Sequence, residues 1–344
     1  MFLLLSSAAR PRYREDILRC VAAPVGSTIQ FRYEKEWIAC DSLKSLNDKD
    51  GLVCFMGEAE DGHQPLTPVR YVTIEHVSMH GTTVSLILKM RDFAFAQTEG
   101  FSRQVASFAG VHHPRKVNGK LDGKWLFSVE GANLSGIEQS KSLATWEKLV
   151  QELASKREFA KEKFYWTVVG VEPIGQLGTD YSDSVTWPTA LCRNSSNSLL
   201  IYHYSPSPET PPQEAPVLTF SCGGSIHNIS SNEVRIDSRY DLKRWRFKAQ
   251  STGYGPEPGW IEITAPAGWG LELPLGTKRA IFAPAGLGVL IGLLLGLGSA
   301  AAAMRDVSSI DDPKFVPAVI VAGFSLASGL LAGLAAVFGI RKSV

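Results

Sequence analysis

The chain has 344 residues, with 35 Lys+Arg against 34 Asp+Glu, a net charge of +1 and 44% hydrophobic residues. Four of those cations and three of those anions lie beyond residue 280, leaving 31 of each before it. A balanced region has no global electrostatic drive toward nucleic acid, which is therefore not an expected partner.

The five cysteines (Cys20, Cys40, Cys54, Cys192, Cys222) are odd in number and contain no Cys-x-x-Cys, which excludes a zinc ribbon and a thioredoxin-type pair. They read as small buried hydrophobes in a reducing compartment. At the N-terminus, Phe2-Leu-Leu-Leu-Ser-Ser-Ala-Ala9 has the length of a short signal core, but no basic segment precedes it, so it is not read as a targeting signal. Asn133, Asn194 and Asn228 head Asn-x-Ser sequons, which matter only for a secreted chain.

Residues 1–112 read as a small β domain, a barrel or roll. Thr28–Tyr33 alternates, and Leu52–Met56 is a short apolar run of buried-strand type. Val69–Met79 and Thr82–Phe95 form a hairpin turning at His80-Gly81, and Trp37–Leu46 is expected as one short helix. Residues 113–124 are basic and rich in turn residues, as a linker would be. A second β-rich, sandwich-like domain is expected over 125–278. It carries one amphipathic helix at about 142–163, with Trp146, Leu149, Val150 and Leu153 at helical spacing. Strands are predicted over Tyr165–Val171, Leu199–Tyr204, Val217–Cys222, Asp241–Gln250 and Trp260–Thr264, and a Pro-rich loop over 205–216.

From Ala280 to Met304 and from Phe315 to Ile340 there is no charged residue. A helix of about 25 residues spans roughly 37 Å, against a hydrocarbon core of roughly 30 Å. The expected fold class is thus mainly β with one or two helices, followed by an all-α transmembrane hairpin (280–304 and 315–340). Lys278, Arg279, Arg341 and Lys342 flank that hairpin on the outside, while Arg305 and Lys314 lie in the connector with three aspartates. The flanks place the β-rich region and the C-terminus in the cytoplasm, with the chain integral to the inner or plasma membrane and the lipid bilayer as a partner. Gly288, Gly292 and Gly296 form one ridge of small residues and Ser325, Gly329 and Gly333 another. Such ridges suit close helix packing and a homo-oligomer.

No motif in the β-rich part demands catalysis. His76 and His80, beside Glu75, lie on a strand, where four residues separate side chains by roughly 13 Å, too far for one zinc. Cys222-Gly-Gly-Ser-Ile-His227 reads as a turn more simply than as a nucleophile pair, and His112-His113 as a solvated linker pair. Asp237-Ser-Arg-Tyr-Asp241 is a polar-site candidate through Asp237, Arg239, Tyr240 and Asp241, or a loop that caps its own amides. Lys243–Lys248, read as a strand, turns Trp245 and Phe247 inward and lines up Arg244, Arg246 and Lys248 outward as a membrane-surface or ligand contact. No metal, cofactor or catalytic residue is expected.

The leading expectation is a membrane-anchored, non-enzymatic binding or sensor module that answers an unknown protein or small-molecule signal. A membrane-permeabilising effector of bacterial antiphage defence is the second reading, and a tethered enzyme the third.

Overall fold

The computed structural model describes residues 1–278 except 41, 59–63, 110–111, 113, 118–119, 133, 175–189, 207–214 and 251–255. Beyond residue 278 it describes only 294, 297–298, 301–302, 305, 315–324 and 327. The chain is mainly β. It divides into one unit of Met1–Gln250 with Pro258–Gly276 and a second of Ser251–Glu257 with Thr277–Val344.

The first unit begins with β1 (Phe2–Ser7), whose Leu3, Leu4 and Leu5 are fully buried. A continuous apolar run of this kind is what a strand covered on both faces requires. α1 (Pro11–Ala22) follows. Pro11 opens it, where the missing N–H is not needed and the fixed φ already suits a helix. Ile17, Leu18, Val21 and Ala22 face inward.

Around β1 stand β2 (Thr28–Glu34), β3 (Ile38–Ala39), β4 (Lys49–Met56), β5 (Leu66–His80) and β6 (Thr83–Phe95). After α2 (Thr98–Ala109) and the small ribbon β7 (Arg115–Val117)/β8 (Lys120–Asp122) come β9 (Leu126–Ser128) and β10 (Glu138–Ser140). The eight-stranded sheet has the order β10-β6-β5-β4-β1-β9-β3, with β2 also paired to β6. β1 runs parallel to β4, with Ser7 opposite Met56, and antiparallel to β9.

α3 (Leu143–Ala154) is capped by Ser142, whose hydroxyl accepts from the Thr145 N–H at 3.3 Å. It packs on β6, and its Trp146 indole donates to the Val21 carbonyl of α1 at 3.2 Å. Arg70 is fully buried without an ion-pair partner among the described residues. Its guanidinium donates to the carbonyls of Arg91 (2.6 Å) and Cys20 (3.1 Å) and lies 3.9 Å from the Phe93 ring centre, and burial pulls its pKa down to about 9.

The remaining strands form two four-stranded sheets. β11 (Tyr165–Pro173), β12 (Ser195–Tyr204), β16 (Tyr240–Ala249) and β14 (Ile226–Asn228) make one, in the order β11-β12-β16-β14. β15 (Glu233–Arg235), β13 (Val217–Gly224), β17 (Glu257–Thr264) and β18 (Gly270–Thr277) make the other. Trp245 and Phe247 alternate inward from β16, and Trp245 stacks on Phe220 of β13 at 4.8 Å. Trp166 of β11 stacks on Trp269, just before β18, at 5.3 Å. α1 lies against β11, and the Arg19 guanidinium donates to the Gly270 carbonyl at 2.9 Å.

Several expectations are corrected. The transmembrane hairpin is not seen: among the described residues no helix is long and apolar enough to cross a membrane. Within the second apolar run the described residues, 315–324 and 327, are helical. Most of 280–304 and 325–340 lies outside the described residues, as do Gly288, Gly292, Gly296, Ser325, Gly329 and Gly333. The integral-membrane and cytoplasmic placement, which rested on that hairpin, falls with it.

The N-terminal strands form an open mixed sheet rather than a barrel or roll, because β1 is drawn into its centre and brings α1 with it. The expected helix over Trp37–Leu46 is two single 3-10 turns, Lys35–Trp37 and Leu43–Leu46, separated by β3. The helix expected over 142–163 stops at Ala154, followed by a 3-10 turn at Arg157–Phe159. Residues 207–214 of the Pro-rich loop lie outside the described residues.

Candidate functional site

The polar candidate Asp237–Asp241 sits where the chain enters β16. Lys243 answers both acids, at 2.7 Å from Asp237 and 3.2 Å from Asp241, and its ammonium holds the Asp237 carboxyl below the usual range. Arg239 lies over the Tyr204 ring at 5.9 Å, and Tyr240 is 62% exposed. Beneath the loop His203 is fully buried. One ring nitrogen donates to the Ser238 carbonyl at 3.0 Å and the other is unpartnered, and burial pushes the imidazole pKa below its ordinary value. Both acids thus share one ammonium from β16, which leaves one negative charge over at the loop.

Arg244, Arg246 and Lys248 alternate with Trp245 and Phe247 along β16. Arg244 lies 3.4 Å from Glu172, and the Arg246 N–H and carbonyl are taken up with Ser230. Cys222 is half-buried, and burial raises its pKa, the opposite of what an active thiolate needs. His76 is exposed on β5, and Glu75 pairs with Lys89 at 3.1 Å. No group of three or more metal-ligating side chains gathers among the described residues.

Two hollows lie elsewhere, on either side of the first turn of α1. Because β1 and β4 run parallel with Ser7 opposite Met56, their carboxyl ends stop together and the chain leaves in two directions. A crevice results, the position where open α/β sheets take ligands. Here it is a solvent-open hollow of 780 Å³, walled by the Ser7–Ala9 turn, Met56–Glu58, Arg14 of α1 and the segment after α3. Gly57 keeps the wall close: a Cβ there would stand 3.0 Å from Pro65 Cγ and 3.4 Å from Glu158 Oε1.

The wall carries both signs of charge. Arg14 donates to the Glu158 carbonyl at 3.1 Å and pairs with the Glu162 carboxylate. The Glu158 carboxylate accepts the Glu58 N–H at 2.8 Å, and Arg157 stands 3.7 Å from Glu58. The Lys161 ammonium has no ion pair among the described residues.

The second hollow, of 390 Å³, lies between α1 and β2 and is lined by Arg10, Arg12, Arg32, Tyr13 and Trp37. Asp16 forms part of its wall, and burial lifts that carboxyl to about 6 despite nearby Arg19, Arg12 and Arg32.

The sequence reading named no residue of either hollow as a site. The signal that points to the first is an apolar run, Leu3–Leu5, followed six residues later by a proline at a helix start, the mark of a β-α turn. Only knowledge that β4 pairs parallel to β1 turns that mark into a crevice.

No protein-family model matches the chain, and no curated protein does. Among solved structures it is similar to a FixG-related protein from Vibrio parahaemolyticus, at 6% identity and a TM-score of 0.22 over 34% of this chain and 97% of that one. A conjugative transposon lipoprotein from Bacteroides eggerthii matches at 8% identity and a TM-score of 0.20, over 35% of this chain and 100% of that one. A conjugate transposon protein from Bacteroides vulgatus matches at 9% identity and 0.20, over 30% and 92%. Likenesses this low define neither family nor role.

Proposed function

We propose that the chain is a non-enzymatic β-rich binding module that senses a small polar molecule in the crevice at the carboxyl ends of β1 and β4. The observation that carries this reading is the 780 Å³ cavity itself, within the size range of small-molecule sites and built where parallel strands end together. Its wall suits binding more than chemistry. The acids and arginines already satisfy one another, and an incoming ligand with groups of both signs exchanges partners with them without leaving a charge bare. Lys161 favours a negative group on that ligand.

The test is thermal denaturation of the full chain with the small-molecule fraction of its host's extract. A ligand at about 100 times its Kd adds roughly 2.7 kcal/mol, a shift of several degrees in Tm. Ala8→Trp, which fills the crevice from its rim, should abolish the shift, while Asp237→Asn should keep it. No shift for the parent chain, or an equal shift for Ala8→Trp, overturns the reading.

A further inference from the structure

The second hollow shares no lining residue with the crevice, and what converges on it is of a different kind. Arg10 and Arg12 reach it from the start of α1, and Arg32 from β2. All three are exposed, and none has an ion-pair partner among the described residues. This sets them apart from the cations of the crevice and of β16, of which Arg14, Arg157, Lys243 and Arg244 are each matched to a carboxylate. Asp16, which also pairs with Arg19, and Glu34 line the same hollow, so three guanidiniums face two carboxyls and the wall keeps an excess of positive charge that an anion would balance.

The same hollow holds an aromatic platform. Trp37 lines it and rests on Trp125 at 5.2 Å, nearly parallel at 21°, and Tyr13 packs on Trp125 at 5.6 Å. Trp37 is only half-buried, though it sits beside a core that buries most of the other tryptophans. A ring supported from behind and left open in front offers its face to a planar guest. Around it Asp16, Gln30, Glu34 and Thr83 supply hydrogen-bonding groups, with the Thr83 hydroxyl donating to Glu34 at 3.4 Å.

We propose that this hollow binds a nucleotide, with the base stacked on Trp37 and the phosphate held by Arg12 and Arg32. The pairing of chemistries selects that class. Arginine forks match phosphate oxygens, and a backed indole matches a base. A bare anion has no use for the indole, and an acidic peptide has no planar ring to lay on it. The volume of 390 Å³ suits one nucleotide unit. Balanced charge over the chain argues against a long nucleic acid but not against one phosphate in a local basic hollow.

Calorimetric titration of the full chain with adenosine monophosphate, uridine monophosphate and inorganic phosphate tests this. Both nucleotides should bind at least roughly ten-fold more tightly than phosphate, with affinity falling as salt rises. Arg12→Ala with Arg32→Ala should weaken all three by roughly ten-fold or more. Trp37→Leu should weaken only the nucleotides, bringing them to the level of phosphate. Arg103→Ala removes an exposed arginine of α2 that pairs with Glu99, and should change nothing. Ala8→Trp should also leave nucleotide binding intact, which separates this site from the crevice. The proposal is overturned if the parent binds phosphate as well as nucleotide, if neither nucleotide binds below about 1 mM, if Arg103→Ala costs as much as the double variant, or if a Glu-rich peptide displaces the nucleotide.

Discussion

The mixed sheet and the pair of antiparallel sheets meet the same requirement, to bury a row of apolar side chains, in different ways. In the mixed sheet β1 and β4 run in the same direction, so their carboxyl ends lie at one edge, where β1 leads into α1 and β4 toward β5 beside an open crevice. In the two-sheeted part the ladders β11/β12, β12/β16, β14/β16, β13/β15 and β13/β17 are antiparallel. The chain passes back and forth between the two sheets, and where it enters β16 the carboxylates of Asp237 and Asp241 both lie against Lys243. The crevice thus lies at the parallel pair, whereas the acids of the loop richest in ionisable side chains share a lysine of the strand they lead into.

The two parts share contacts through α1 and fall within one compact unit, which predicts one cooperative unfolding transition. The strongest way to break that comparison is to hollow out each core in turn. Trp245→Ala removes the ring stacked between Phe220 and Phe247 and should cost about 3–5 kcal/mol, and Leu4→Ala in β1 about 2–5 kcal/mol. Each should lower a single urea midpoint followed by circular dichroism. Two separated transitions in either variant would show that the parts fold independently.

The two parts also hold buried titratable groups with opposite pH signs. Asp16 titrates near 6 in the folded chain against 3.8 for an ordinary aspartate, so its contribution is complete below about pH 4 and is lost as pH rises through 6. Asp16→Asn should therefore gain on the parent by on the order of 2–3 kcal/mol above pH 7, and by almost nothing at pH 4.

His203 has its pKa lowered, chiefly by burial, with the Ser238 carbonyl and the charges of Lys243, Asp241 and Asp237 around it. Its contribution is complete above 6.5 and fades as pH falls below that value. His203→Gln should flatten the acid side of the stability profile and leave the neutral side level. Urea midpoints between pH 4 and 8 check both variants, and equal slopes in parent and variant would remove the residue from the account. The smallest effect expected is at the cap of α3: Ser142→Ala should cost about 1 kcal/mol in the same assay, since one helix N–H loses its acceptor.

Much of the local structure was legible in the chain. Alternation placed Ile29, Phe31 and Tyr33 on β2 and Trp245 and Phe247 on β16, because a strand's side chains alternate whatever its partner is. His80-Gly81 marked the turn between β5 and β6, where Gly81 takes φ +63°. Ser142 marked the start of α3, a signal that needs only three residues of context.

Pairing was not legible in the same way. Leu3–Leu5 drew notice in the sequence only as part of a discarded targeting core, and the ladder to β4 makes it a central strand. Whether β1 runs parallel to a strand some fifty residues away depends on which partners cover both its faces, a non-local condition. The apolar runs after residue 279 show the converse. Hydropathy alone read them as spans, whereas among the described residues no helix is long and apolar enough to cross a membrane. Composition by itself determined where side chains prefer to be dry. The tertiary structure alone decided which strand ends meet, and so where the crevice and the arginine hollow lie, because both are bounded by residues distant in the chain that no local period relates.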